Sequence, residues 1–133
     1  MDIASIHNLF LQCDSVSIDT RKFLPNSLFV AIKGENFDAN TFAAQAISLG
    51  AAFAVIDNKD FAKNEQYILV EDVLTTLQDL AKHHRKQLSI PIIGLTGSNG
   101  KTIVKEWLYQ CLWNEMPTVK SPKSFNSQIG LPL

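Results

Sequence analysis

The chain has 133 residues, a formal net charge of −1 and a 46% share of hydrophobic residues. That composition supplies a packed core for one ordinary domain, or for a small domain plus part of another, and argues against disorder. The near-neutral balance excludes a large nucleic-acid footprint, which needs a basic excess, and no apolar run reaches the length of a membrane span.

In chain order, Ile3, Ile6, Leu9 and Phe10 have the spacing of a short amphipathic helix. Ser15 to Asp19 alternates polar and apolar residues and predicts a short strand. Phe23 to Ser27 contains Pro25-Asn26, a turn signal. Leu28 to Ile32 is continuously apolar and predicts a buried strand, and Lys33 to Asn36, with Gly34, predicts a loop. Asp38 or Asn40 is placed to cap a helix carrying Phe42, Ala43, Ala46, Ile47 and Leu49, with Gly50 ending it. Strands follow at Ala52 to Ile56 and Tyr67 to Val70. Asp72 caps a helix to about Lys86, with Val73, Leu77, Leu80 and Ala81 on one face. Gln87 to Ile90 then leads into Pro91, which disfavours helix at the residue before it, and a domain boundary is expected near 87–90.

Beyond the boundary, Ile90 to Leu95 predicts a strand and Thr102 to about Asn114 a helix, with a further short strand at Thr118-Val119. Between the first two lies Gly97-Ser98-Asn99-Gly100-Lys101-Thr102. A glycine-rich turn between strand and helix cradles phosphates, because the helix's first N–H groups point outward and its dipole favours an anion there. Lys101 adds a point charge for the phosphates, and the Thr102 hydroxyl suits a phosphate-bound Mg2+. The pattern is not a strict Walker A, since Leu95 stands where the first glycine belongs and Gly94 sits one place early. An ordinary strand-to-helix turn with a surface lysine stays open as the other reading.

Pro91 to Leu133 is too short for a phosphate-loop fold, which needs several parallel strands covered on both faces. The chain is therefore expected to be an N-terminal fragment ending inside its nucleotide domain. Met1-Asp2-Ile3 does not open a signal peptide. Cys13 and Cys111 lack CxxC spacing and read as free, buried thiols of a reducing cytosol, so a cytoplasmic protein is expected. His83 and His84 read as a solvated helix face rather than metal ligands.

Three segments carry a family resemblance. Ser17-Ile18-Asp19-Thr20-Arg21-Lys22, then Pro25 to Glu35, then Phe37-Asp38-Ala39-Asn40 and Phe42-Ala43, resemble the N-terminal domain of the Mur ligases. Gly94 to Thr102 resembles their ATP loop, and Ser124 to Leu133 the segment after the first helix of their central domain. The resemblance implies an α/β fold: a small Mur-ligase N-terminal domain over 1–88, which binds the UDP end of the substrate, and over 89–133 the truncated start of a P-loop ATPase central domain.

The Asp-Thr-Arg wording and the Phe-Asn-x-x-Ile-Gly-x-Pro ending look most like the family member that joins D-alanyl-D-alanine to UDP-N-acetylmuramoyl-tripeptide in peptidoglycan synthesis. That implies ATP and Mg2+ as cofactors. It also implies an activated carboxylate attacked by the dipeptide amine. Residues 123–128 are similar to a form fused to an alanine racemase, which would add pyridoxal phosphate.

Carried over by position, Gly97, Ser98, Asn99, Gly100, Lys101 and Thr102 would bind ATP, with Lys101 catalytic and Thr102 on the metal. Ser17, Thr20, Arg21, Lys33, Gly34, Phe37, Asp38 and Asn126 would bind substrate. A hydroxyl, a guanidinium and loop N–H groups suit a diphosphate, although Asp19 and Arg21 serve equally as a brace for the strand end. Two positions depart from the family: Ile103 replaces a second hydroxyl after Lys-Thr, and Ser127 replaces the second residue of an Asn-Asn pair. Two other functions compete. One is another phosphate-loop enzyme such as a kinase, which leaves Ser17 to Asp38 unexplained; the other is a non-catalytic nucleotide-binding module.

Overall fold

The structure, a computed structural model, describes residues 1–21, 25–122 and 127–133. It divides into two compact units, Met1–Leu88 with Pro132–Leu133, and Ser89–Leu131.

The first unit opens with helix α1 (Ile3–Phe10), whose start is fixed by the Asp2 carboxylate accepting the Ser5 N–H at 2.8 Å. Strands β1 (Ser15–Ser17) and β2 (Ser27–Val30) follow, then a two-stranded hairpin of β3 (Lys33–Gly34) and β4 (Phe37–Asp38). A single 3₁₀ turn, Ala39–Phe42, runs into α2 (Ala43–Ser48). Strand β5 (Phe53–Ile56), strand β6 (Tyr67–Leu69) and helix α3 (Val73–Gln87) complete the unit. The sheet order is β1-β2-β5-β6 and every pairing is parallel, with Val16 opposite Leu28, Phe29 opposite Ala54 and Val55 opposite Ile68.

Alternation along the strands separates two apolar faces. Phe29, Ala54 and Ile56 cluster with Ala39, Ala43, Ala46 and Ala51, and the small side chains let α2 lie close to the sheet. Leu28, Val30, Val55 and Ile68 have the opposite parity and are also buried. Helices α1 and α3, which pack on each other, bury Ile6, Val73, Leu77 and Leu80. All four residues of β2 are buried, and from Leu28 to Val30 the sequence accordingly reads as an unbroken apolar run, with the buried Ser27 ahead of it.

Turn chemistry sets the connections. Helix α2 ends in a Schellman motif: Ala51 N–H donates to Ala46 O and Gly50 N–H to Ile47 O, both at 3.0 Å, with Gly50 at φ 104°. The Gly50 carbonyl then accepts the Asn26 N–H at 2.8 Å. Asn26 is left-handed at φ 55°, and its side-chain amide reaches Gln12 O at 3.1 Å. The remainder of that turn, Phe23 and Leu24, lies outside the described residues. Asp72 caps α3 by accepting the Thr75 N–H at 2.6 Å, and His84, Arg85 and Lys86 occupy the last turn, where the dipole favours positive charge.

Several expectations are corrected. The strand from Ser15 stops at Ser17, because the chain turns there onto the Ser17 hydroxyl. Residues 33–36 are not a plain loop but half of the β3–β4 hairpin. A short 3₁₀ turn at Lys59–Phe61, capped by Asn58, went unpredicted. Cys13 is half-buried and Cys111 exposed, where both were expected to be buried. His83 and His84 are half-buried rather than a solvated face. Three and four residues beyond Leu80, they continue the buried stripe of α3 onto α1. There His7, itself buried, lies with its Nε2 3.1 Å from His84 Nδ1 and its ring centroid 4.8 Å from that of His83.

The second unit contains α4 (Lys101–Leu112). Ile90 to Leu95 is not a strand, and Ile92 and Ile93 are exposed. A strand exists only through its ladder, and no other strand is found among the described residues of this unit. Thr118-Val119 is likewise irregular. The segment around it is tied to α4 by Lys105, which donates to Ser121 O at 2.8 Å, and by Lys120, which pairs with Glu106 and lies 4.4 Å from the Tyr109 ring centre.

Candidate functional site

Parallel strands put their C-terminal ends on one edge of a sheet, and the loops leaving that edge are where α/β proteins gather ligand groups. Ser17 is the last residue of β1, and its buried hydroxyl donates to Asp19 O at 3.1 Å. The Asp19 carboxylate then holds Arg21: Oδ1 accepts the Arg21 backbone N–H and Nε, each at 2.9 Å, and Oδ2 accepts Nη2 at 2.8 Å and Nε at 3.2 Å. This bidentate grip raises the guanidinium pKa, yet the Arg21 side chain is 87% exposed. Arg21 is thus oriented by the turn while facing solvent. Half-buried Thr20 lies between them.

The loop from β2 carries the other group. Lys33 and Gly34 pair antiparallel with Asp38 and Phe37. Phe37 is 55% exposed and stacks on Phe42, with ring centroids 5.4 Å apart. Asp38 caps the following turn by accepting the Asn40 N–H at 2.9 Å. Lys33 Nζ lies 2.8 Å from Asp57 Oδ1. Hydrogen bonding to that carboxylate is the main reason the Lys33 pKa is raised. Burial pushes the Asp57 carboxyl up, but Lys33, Asn40 and the Val73 N–H together outweigh it, and its pKa is lowered.

The structure therefore brings Lys33, Gly34, Phe37 and Asp38 together on one hairpin, and Ser17, Thr20 and Arg21 on one turn. These two loops leave neighbouring strands at the same sheet edge. Asn126 lies outside the described residues. Sequence reasoning missed Asp57 and gave Asn40 only a capping role. The available signal was Asp57's place directly after a buried strand, at the ligand-gathering edge. A shallow depression of about 650 Å3, lined by Ile3, Ile6, Leu69 and Thr75 among others, contains none of the predicted residues.

The glycine loop belongs to the second unit. Gly100 is the N-cap of α4, left-handed at φ 79°, and offers no side-chain hydrogen bond to the first turn. By contrast, α1 and α3 each start on an aspartate. A helix start without a side-chain cap is one whose dipole favours an anion, and a Cβ built on Gly97 or Gly100 would meet nothing within 4 Å. The Lys101 ammonium folds back over the loop onto the Gly97 carbonyl. This is an arrangement that phosphate oxygens fit: backbone donors, a left-handed glycine and one cation. Among the described residues, no group of three His, Cys, Asp or Glu side chains is placed to hold a metal ion, and no helix is long and apolar enough to cross a membrane.

Comparison with known proteins identifies the family. The profile described as "Mur ligase family, catalytic domain" matches residues 12–85. The UDP-N-acetylmuramoyl-tripeptide--D-alanyl-D-alanine ligase of Bacillus subtilis is 42% identical over 120 residues, 89% of this chain and 26% of that protein. The Escherichia coli ligase of the same name is 38% identical, over 90% of this chain and 26% of its own length. The crystal structure of MurF ligase from Thermotoga maritima in complex with ADP superposes with a TM-score of 0.79 at 32% identity, covering 92% of this chain and 28% of that one. A MurF structure from Acinetobacter baumannii gives a TM-score of 0.80 at 27% identity, with 98% and 31% covered. The chain spans about a quarter of the length of these curated relatives. With residues 12–85, more than half of the chain, matched by the family profile, the chain belongs to the Mur ligase family.

Proposed function

We propose that this chain is the N-terminal part of an ATP-dependent ligase that adds D-alanyl-D-alanine to UDP-N-acetylmuramoyl-tripeptide in peptidoglycan synthesis. The observation that carries the reading is identity of 42% across 120 residues to a ligase of that name, a span reaching through both units. In this reading residues 1–88 bind the UDP end of the substrate and 89–133 begin the ATP-binding domain. ATP and a UDP-linked precursor are intracellular metabolites, so the reaction belongs in the cytoplasm.

Each group has a chemical task. Arg21, aimed by Asp19, and Lys33 supply cations for a diphosphate, with Ser17, Thr20 and the Gly34 turn as hydrogen-bonding partners and Phe37-Asp38 closing the hairpin beside them. Asn126 joins this substrate set by position. Gly97 to Gly100 donate backbone N–H groups to ATP, and Lys101 neutralises charge as the γ-phosphoryl moves to the substrate carboxylate. The Thr102 hydroxyl would hold Mg2+, which offsets phosphate charge. The dipeptide amine then attacks the acyl carbon and phosphate leaves. Pyridoxal phosphate enters only with a racemase domain after this segment, as the wording at 123–128 implies. No residue of this chain is assigned to it, and cofactor absorbance of the longer protein tests it.

Titration of the isotope-labelled chain with UDP tests the substrate half. Amide shifts at 17–21 and 33–38 are expected, and shifts confined to residues after Pro91 would overturn it.

A further inference from the structure

One buried, fully partnered polar side chain of the first unit is not called for by substrate chemistry alone. Asn40 is completely buried. Its amide nitrogen donates to Asp38 Oδ1 at 2.7 Å and to Asp57 Oδ1 at 2.8 Å, and its carbonyl accepts the Asp57 N–H at 3.1 Å. One amide therefore bridges the end of β4 to the end of β5. The same Asp57 oxygen takes the Lys33 ammonium at 2.8 Å from the start of β3. Both ends of the hairpin are thus fastened to a single carboxylate rooted on the central sheet.

The network holds a carboxylate whose side chain is only 9% exposed, and a polar network with every member partnered gives its segment a single geometry. What the fastening fixes is what faces solvent. Lys33 is 47% exposed at its side chain and Phe37 is 55% exposed, one cation and one aromatic ring on the same hairpin.

Resting on the proposed function, we infer that Asn40 and Asp57 are positioning residues. They hold the Lys33 ammonium and the Phe37 ring at the C-terminal edge of the sheet for a nucleoside diphosphate. Asp57 fixes where the cation stands, and Asn40 fixes the hairpin relative to β5.

A double-mutant cycle on the 133-residue chain tests this, with UDP as the probe and NMR as the readout. Asp57→Asn and Lys33→Met should each weaken UDP binding by about tenfold, and the double variant should bind no worse than Lys33→Met alone, because Asp57 acts through Lys33. Shifts of α3 amides report that the fold persists, and half-exposed Lys33 keeps the test usable if Asp57→Asn fails to fold. Wild-type affinity in either single variant, or losses that simply add, would overturn the inference. If the wild-type chain shows no UDP-dependent shifts, the substrate reading falls by itself. The positioning role is then decided by amide exchange at 33–38: faster exchange in Asn40→Asp supports it, and wild-type protection overturns it.

Discussion

Gly100→Ala separates a phosphate loop from an ordinary turn. Gly100 caps α4 at φ 79° and ψ −6°, a left-handed conformation. An added Cβ would meet no atom within 4 Å, so no steric clash contributes and the whole cost is in the backbone. An L-residue forced into that region loses about 1–2 kcal/mol. Helix α4 buries no side chain, so nothing in its packing compels an alanine to keep the strained angle. The free loop relaxes, and the cost reappears when a ligand demands the original geometry. Nucleotide affinity should therefore fall about 5- to 30-fold while the melting temperature hardly moves. Calorimetric titration of ATP with Mg2+ into the 133-residue chain measures the first, and a thermal melt the second. Gly100→Asn is the control, since asparagine tolerates the left-handed region, and it should retain more affinity than alanine. Alanine binding as tightly as glycine, or asparagine no better than alanine, would refute the idea that the backbone angle at Gly100 is selected by the nucleotide.

Lys101→Ala in the intact ligase should lower kcat on the order of 10²–10³-fold while UDP affinity stays unchanged; normal turnover would make Lys101 a surface residue on a structural turn. The histidine cluster gives a pH-dependence. Burial first, then the neighbouring His83 and His84, lower the His7 pKa below its usual 6.5, so the folded state prefers the neutral ring. The unfolded chain takes up that proton more readily, and the His7 contribution is complete above pH 6.5 and lost as pH falls through the lowered folded value. Urea midpoints followed from about pH 7.5 to about 5 should drop for the native chain and drop less for His7→Leu. Equal slopes would show that the loss comes from other groups.

What could be read from the sequence was local in origin. Asp72 precedes apolar periodicity and caps α3, accepting an N–H three residues on. Gly50 follows the last periodic residue of α2 and takes the positive φ that ends it. Leu28 to Val30 is apolar throughout because it sits centrally in a sheet covered on both faces. In each case the physics lies within a few residues of the signal. Residues 90–95 fail for the opposite reason. An apolar run states what a segment would bury against, and the ladder that makes it a strand must come from elsewhere.

The candidate site divides along the same line. Its motif residues were legible, since Ser17, Arg21, Lys33 and Lys101 stand in recognisable order. What orients Lys33 was not. Asp38 and Asn40 both had the chemistry of a helix cap, and nothing between residues 36 and 44 distinguishes them. The choice is made 17 positions away. Asp57 needs a donor at the end of β5, so the Asn40 amide turns inward to it, and Asp38 is left to cap the turn. The hairpin that results has two residues in each strand, too short for any periodicity to announce it. It exists because a buried amide and a buried carboxylate satisfy each other, so the element carrying Lys33 and Phe37 is specified by tertiary hydrogen bonding rather than by local propensity.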